Sequence, residues 1–172
     1  MPNIFESTTN EQKANKPEIA DVCDYFLTDK ILRKGMTGLL ECCQSLKMKP
    51  TWVQKNGFTC SYRGNRVISF MIAKDNYLRI SVYLAEKEDL EELINAQSDD
   101  LQTEFSNRKM THCRVCKPAC RFKVNIKLSG KPFSTCSRFN YMVLKPTMKQ
   151  FKIIEKFIHV RREYIDNKKS VR

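Results

Sequence analysis

Apolar residues recur at helical spacing twice before residue 50, and at strand spacing afterwards. Ile19, Val22, Cys23 and Phe26 form a stripe, and Pro17 suits a first helical turn, so the spacing predicts a helix over 17–28. Ile31, Leu32, Met36, Leu39, Leu40 and Cys43 predict a second helix that ends before Pro50, with Gly35 and Gly38 weakening its front half. From Trp52 the period becomes two. FTCSYR (58–63) sets Phe58, Cys60 and Tyr62 on one face; Gly64-Asn65 is a hairpin-type turn signal, and RVISFMIA (66–73) follows. Asp75-Asn76 marks another turn before YLRISVYL (77–84), which places Leu78, Ile80, Val82 and Leu84 opposite Tyr77, Arg79, Ser81 and Tyr83. Further on, RFKVNIKL (121–128) sets Phe122, Val124, Ile126 and Leu128 against Arg121, Lys123, Asn125 and Lys127.

The remaining elements are helical. EKEDLEELINAQ (86–97) spaces Leu90, Leu93 and Ile94 among carboxylates, as an amphipathic helix with a solvated acidic face does. Near the C-terminus, Thr147 and Gln150 stand three apart as in a capping box, ahead of Met148, Phe151, Ile154, Phe157, Ile158 and Ile165 on one helical stripe. The expected fold is α+β. A single antiparallel sheet of 58–63, 66–73, 77–84 and 121–128 should pack against the N-terminal helices and the long C-terminal helix. One domain over 17–166 follows, with a flexible N-terminal tail at 1–16 and a flexible basic tail at 167–172.

Charge changes this picture more than composition does. The formal net charge is +12, but residues 86–105 carry eight acids against Lys87, whereas 106–172 carry 18 Lys and Arg against Glu155, Glu163 and Asp166. Arg79, Arg121, Lys123 and Lys127 would together form a basic outer sheet face for an anionic ligand or nucleic acid. Neither an RNA-recognition aromatic signature nor a helix-turn-helix pattern accompanies them. No signal-peptide pattern opens the chain and no apolar run of about 18 residues occurs, so a cytoplasmic protein without a membrane span is expected.

Candidate chemistry concentrates in HCRVCKPACRFKV (112–124). Cys113 and Cys116 have the Cys-x2-Cys spacing that delivers two thiolates to one zinc ion. Cys120 and Cys136 could complete a tetrahedral set, with His112 as the spare ligand, so a zinc staple is one expectation. A redox-active Cys113/Cys116 pair, or cysteines packed in a loop, are the alternatives. Cys23, Cys42, Cys43 and Cys60 fall in apolar-patterned elements and read as small hydrophobes. His159 lacks an evident partner for acid–base work. No nucleophile elbow, phosphate-binding loop or dinucleotide fingerprint is present, which leaves an enzymatic function weakly supported.

KPTW (49–52), the strand meander, HCRVC (112–116) and GKPFSTC (130–136) before a final helix resemble small uncharacterised bacterial α+β proteins and, more distantly, YdhG-like proteins. That resemblance spans residues 30 to 166 and implies a compact α+β domain; iron handling is attributed to some YdhG-like proteins, and none of their functional residues map here. The combined expectation is an α+β binding module with a basic face, stapled by zinc. A thiol enzyme using Cys113 or Cys116 and a nucleic-acid-binding protein are the other two expectations.

Overall fold

A computed structural model describes residues 4–107, 122–138 and 140–170. The order is α1 (Thr9–Ala14), α2 (Ile19–Phe26), α3 (Lys30–Ser45), β1 (Pro50–Gln54), β2 (Gly57–Tyr62), β3 (Asn65–Ala73), β4 (Tyr77–Val82), α4 (Leu90–Asn95), α5 (Asp99–Ser106), β5 (Lys123–Leu128), β6 (Lys131–Cys136), β7 (Tyr141–Leu144) and α6 (Met148–Ser170). This is the α+β architecture that the periodicity predicts. Strands β1-β2-β3-β4-β7 form one antiparallel sheet, and β5-β6 form a separate two-stranded ladder.

The expected single sheet is therefore corrected at one strand. The meander does gain a later strand, but it is β7, paired with β4 through Ile80–Val143 and Val82–Tyr141, and not residues 121–128. Two local causes hold β5 apart. Ser129 and Gly130, at φ +46° and +77°, make a two-residue turn that pairs Leu128 with Lys131. On the other edge of β5, the Lys127 N–H donates to the Glu91 carboxylate at 2.9 Å and Asn95 Nδ2 donates to the Lys127 carbonyl at 2.9 Å. The acidic helix α4 thus caps an edge that would otherwise invite another strand.

Most of the inward positions predicted by alternation are buried. Phe58, Cys60, Ile68, Phe70, Leu78, Ile80 and Val82 are buried beneath α2, α3 and α6. On the small ladder, Val124, Ile126 and Leu128 are buried while Lys123, Asn125 and Lys127 are exposed. The pairing register shifts between Trp52 and Gln54 in the β1–β2 pair, and again in the β2–β3 hairpin. Its turn centres on Arg63-Gly64, at φ +49° and +79°, one residue earlier than the Gly64-Asn65 signal predicts. A bulge restores the register: Cys60 faces Ile68 but Ser61 faces Arg66, which leaves Val67 as the extra residue. Val67 and Ile68 are consequently both buried.

The helices obey their local signals. Asp29 caps α3 by accepting from the Ile31 and Leu32 amides. The Thr147–Gln150 capping box forms as the spacing predicts, through Gln150 N to Thr147 Oγ1 at 3.3 Å and Thr147 N to Gln150 Oε1 at 3.0 Å. Gly35 is needed for packing, because a Cβ there would lie 2.2 Å from the Phe151 ring of α6. The opening segment is tied down rather than loose. Gln12 of α1 is fully buried; its Nε2 donates to the Ile4 carbonyl and Asn56 Oδ1, and its Oε1 accepts from the Asn56 amide and the Trp52 indole. At the other end α6 continues to residue 170, through the segment whose polarity predicts a loose tail. Among the described residues no helix is long and apolar enough to cross a membrane.

Candidate functional site

The helices α2, α3 and α6 cover one face of the five-stranded sheet, and the other carries a shallow concavity of about 260 Å³. Its floor follows from the pairing Thr59–Ser69–Ser81, three small hydroxyl residues side by side on β2, β3 and β4. Val53 and Gln54 of β1, Met71 of β3, and Arg66, Arg79 and Tyr83 rise around it. Small residues flanked by large ones make a hollow on an otherwise pleated surface.

Two arginines bracket the serine pair. Arg79 pairs with Met71 on the row below Ser81–Ser69, and successive outward positions along a strand are about 6.6 Å apart. Arg66 stands near the row above, beside Tyr83; its Nη1 donates to the Tyr83 hydroxyl at 2.9 Å, and its guanidinium carbon lies 5.1 Å from that ring's centroid. Strict alternation would send Arg66 inward with Ile68 and Phe70. The bulge instead sets it opposite Ser61, on the outer face. Consecutive Val67-Ile68 after Arg66 is the signal that could have revealed this residue in the sequence.

The polar groups here are under-used. Thr59 Oγ1 donates to the Ile68 carbonyl at 3.1 Å, but among the described residues neither Ser69 nor Ser81 makes a side-chain hydrogen bond, although Ser81 is only 2% exposed. The Arg79 side chain has no hydrogen-bond or ion-pair partner among the described residues, and none of those lining the hollow is a carboxylate. A half-buried arginine beside hydroxyls that bond nothing among the described residues is a donor array without an acceptor there.

The remaining predicted residues do not join it. Lys123 and Lys127 project from the separate β5–β6 ladder, so the expectation that they share one sheet face with Arg79 is corrected. The cause is the edge capping of β5 described above. Arg121 lies outside the described residues, as do His112, Cys113, Cys116 and Cys120. Cys136 is described. It pairs with Lys123 at the open end of the ladder, where the Ser137 amide donates to the Phe122 carbonyl, yet keeps only 7% exposure. No group of three or more metal-ligating side chains occurs among the described residues.

The other thiols behave as packing residues. Burial pushes Cys23 up to about 12 and Cys42 up to about 11. A hydrogen bond with the Cys60 thiol, and then burial, drive Cys43 far above the ordinary thiol range. All three stay protonated at neutral pH and lack the thiolate that nucleophilic chemistry needs. A second polar cluster clamps α6: Lys168 Nζ donates to Asp89 Oδ2 at 2.8 Å and to the Tyr164 hydroxyl at 2.7 Å, and Tyr164 donates to Asp89 as well. The lysine and tyrosine donors hold Asp89 below the usual carboxylate range. With its three groups satisfied by one another, this cluster fastens the N-terminal end of α4 to the last turns of α6. Compared with known proteins, the chain matches no family model, no curated protein and no solved structure.

Proposed function

We propose that the protein is a binding module whose open sheet face takes an anionic partner. One observation carries this reading: Arg79, half-buried in a hollow with Ser69 and Ser81, has no side-chain acceptor and no neighbouring carboxylate among the described residues, and neither serine hydroxyl is bonded among them. An arginine held this way has already lost part of its hydration and gains most from an incoming oxyanion. The uneven charge of the chain adds long-range attraction. Binding of a fluorescent single-stranded oligonucleotide, used as a polyanionic probe, should weaken with a log–log salt slope of about −1.4 for two phosphate contacts. Affinity that ignores salt would contradict the reading.

A second reading concerns Cys136. Sharing the ladder face with exposed Lys123 while staying buried supports its membership in a thiolate set with Cys113, Cys116 and Cys120, with His112 in reserve, around a structural zinc ion. Elemental analysis of protein purified without chelator should find close to one zinc per chain, and Cys136→Ser should lower that content. Metal-free protein with an unchanged melting temperature in the presence of chelator would remove the staple.

A further inference from the structure

We propose that the open sheet face holds one phosphate dianion, free or as a monoester, over the Ser69–Ser81 pair and between Arg66 and Arg79. The proposal deepens the anionic-partner reading and depends on it. Three features select this ligand chemistry. First, the hollow of about 260 Å³ falls below the roughly 300–1,000 Å³ typical of pockets for drug-sized molecules, which suits a compact group. Second, among the described residues its two cations face no carboxylate, so a doubly charged ion balances them and a single carboxylate does not. Third, the donors surround the floor. Arg79 stands on the row to one side of the Ser69–Ser81 pair and Arg66 near the row to the other, so a tetrahedral ion seated over the pair meets guanidinium donors from two sides.

The arrangement is also pre-set. Tyr83 holds Arg66 through its hydroxyl and its ring, and the Val67 bulge is what turns Arg66 to this face. An arginine already fixed by its neighbours loses less freedom when a ligand arrives. Serine at both floor positions is consistent with the same use, since larger side chains would fill the hollow.

The test is calorimetric titration of the full chain at low salt with inorganic phosphate and, separately, phenyl phosphate. Both should bind, and the tighter of the two assigns the site to the free ion or to the monoester. Arg79→Lys keeps the charge but loses the two-pronged geometry, and should weaken binding roughly tenfold; Ser81→Ala should weaken it roughly fivefold. Phenyl phosphate should bind about tenfold more weakly at pH 5 than at pH 7.5, because the second ionisation of a phosphomonoester lies near pH 6. If Arg79→Lys melts early, Ser81→Ala carries the comparison, since it removes one oxygen and adds no bulk. No binding of either compound, or binding unchanged by Ser81→Ala, overturns the phosphate site. Oligonucleotide binding that persists with its salt slope would then leave the broader anionic reading standing, whereas loss of both would remove it as well.

Discussion

The open face of the five-stranded sheet and the exposed face of the β5–β6 ladder both carry cations on outward positions, set by alternation for Arg79, Lys123 and Lys127 and by the Val67 bulge for Arg66, and end in different situations. On the sheet, Arg66 and Arg79 rise around a hydroxyl floor with no carboxylate among the described residues lining it. On the ladder, Lys123 and Lys127 are exposed, and Glu91 of the acidic helix α4 accepts from the Lys127 amide. The difference teaches that a basic residue gains binding potential from what is missing around it. A solvated lysine near carboxylates keeps its hydration and its counter-charge, while a half-buried arginine without an acceptor has surrendered some of the first and lacks the second.

Breaking the link between these two regions should have the largest effect. Phe105 of α5, 1% exposed, lies 5.5 Å from Phe133 of the ladder and 6.4 Å from Phe157 of α6, ring centroid to ring centroid. Phe105→Ala should cost about 3–5 kcal/mol, measured by urea denaturation, because it opens a cavity where ladder and main core meet. If the loss stays under about 1 kcal/mol, the two regions are less coupled than the packing indicates.

A smaller change should separate them. Asn95 donates to the Lys127 carbonyl and accepts from the Ser129 amide at 3.2 Å. Asn95→Ala should cost about 1 kcal/mol. In hydrogen exchange the extra opening should be confined to residues 123–136, with strands β2 to β4 unchanged. Faster exchange across the sheet as well would show that the ladder is not an independently anchored unit.

The smallest effect lies in the acid limb of the stability curve. Asp89 has a depressed pKa, so its clamp to Lys168 and Tyr164 contributes stability that is fully present above the ordinary carboxylate value of about 3.9 and is lost as pH falls through the depressed one. Asp89→Asn should flatten the stability profile in that acid window and leave its neutral shape alone. An unchanged acid limb would assign the acid sensitivity to other carboxylates.

Legibility in the sequence followed the range of the interaction. Helices α2, α3 and α6, the meander and the Thr147–Gln150 box are set by short-range periodicity and capping, and all are present, with the β2–β3 turn one residue early and α6 longer than its pattern predicts. The partner of β5 was not legible, because alternation reports which face a side chain takes and says nothing about which strand lies alongside. The acidic run 86–97 looked like one solvated helix. It is a short helix that spends Glu91 and Asn95 on an edge strand, followed by α5 with Phe105 in the core. Of the binding face, Arg79 was visible from the period-two pattern, whereas Arg66 was hidden by a one-residue bulge that only the pairing reveals.

The central claim is that the sheet face, and not the basic ladder, receives the anion. Oligonucleotide binding by Arg66→Glu/Arg79→Glu and by Lys123→Glu/Lys127→Glu tests it directly, because both double variants lower the net charge by the same amount. The account predicts loss of roughly tenfold or more for the arginine pair and a change of no more than about threefold for the lysine pair. Equal losses, or a larger loss for the lysine pair, would contradict it.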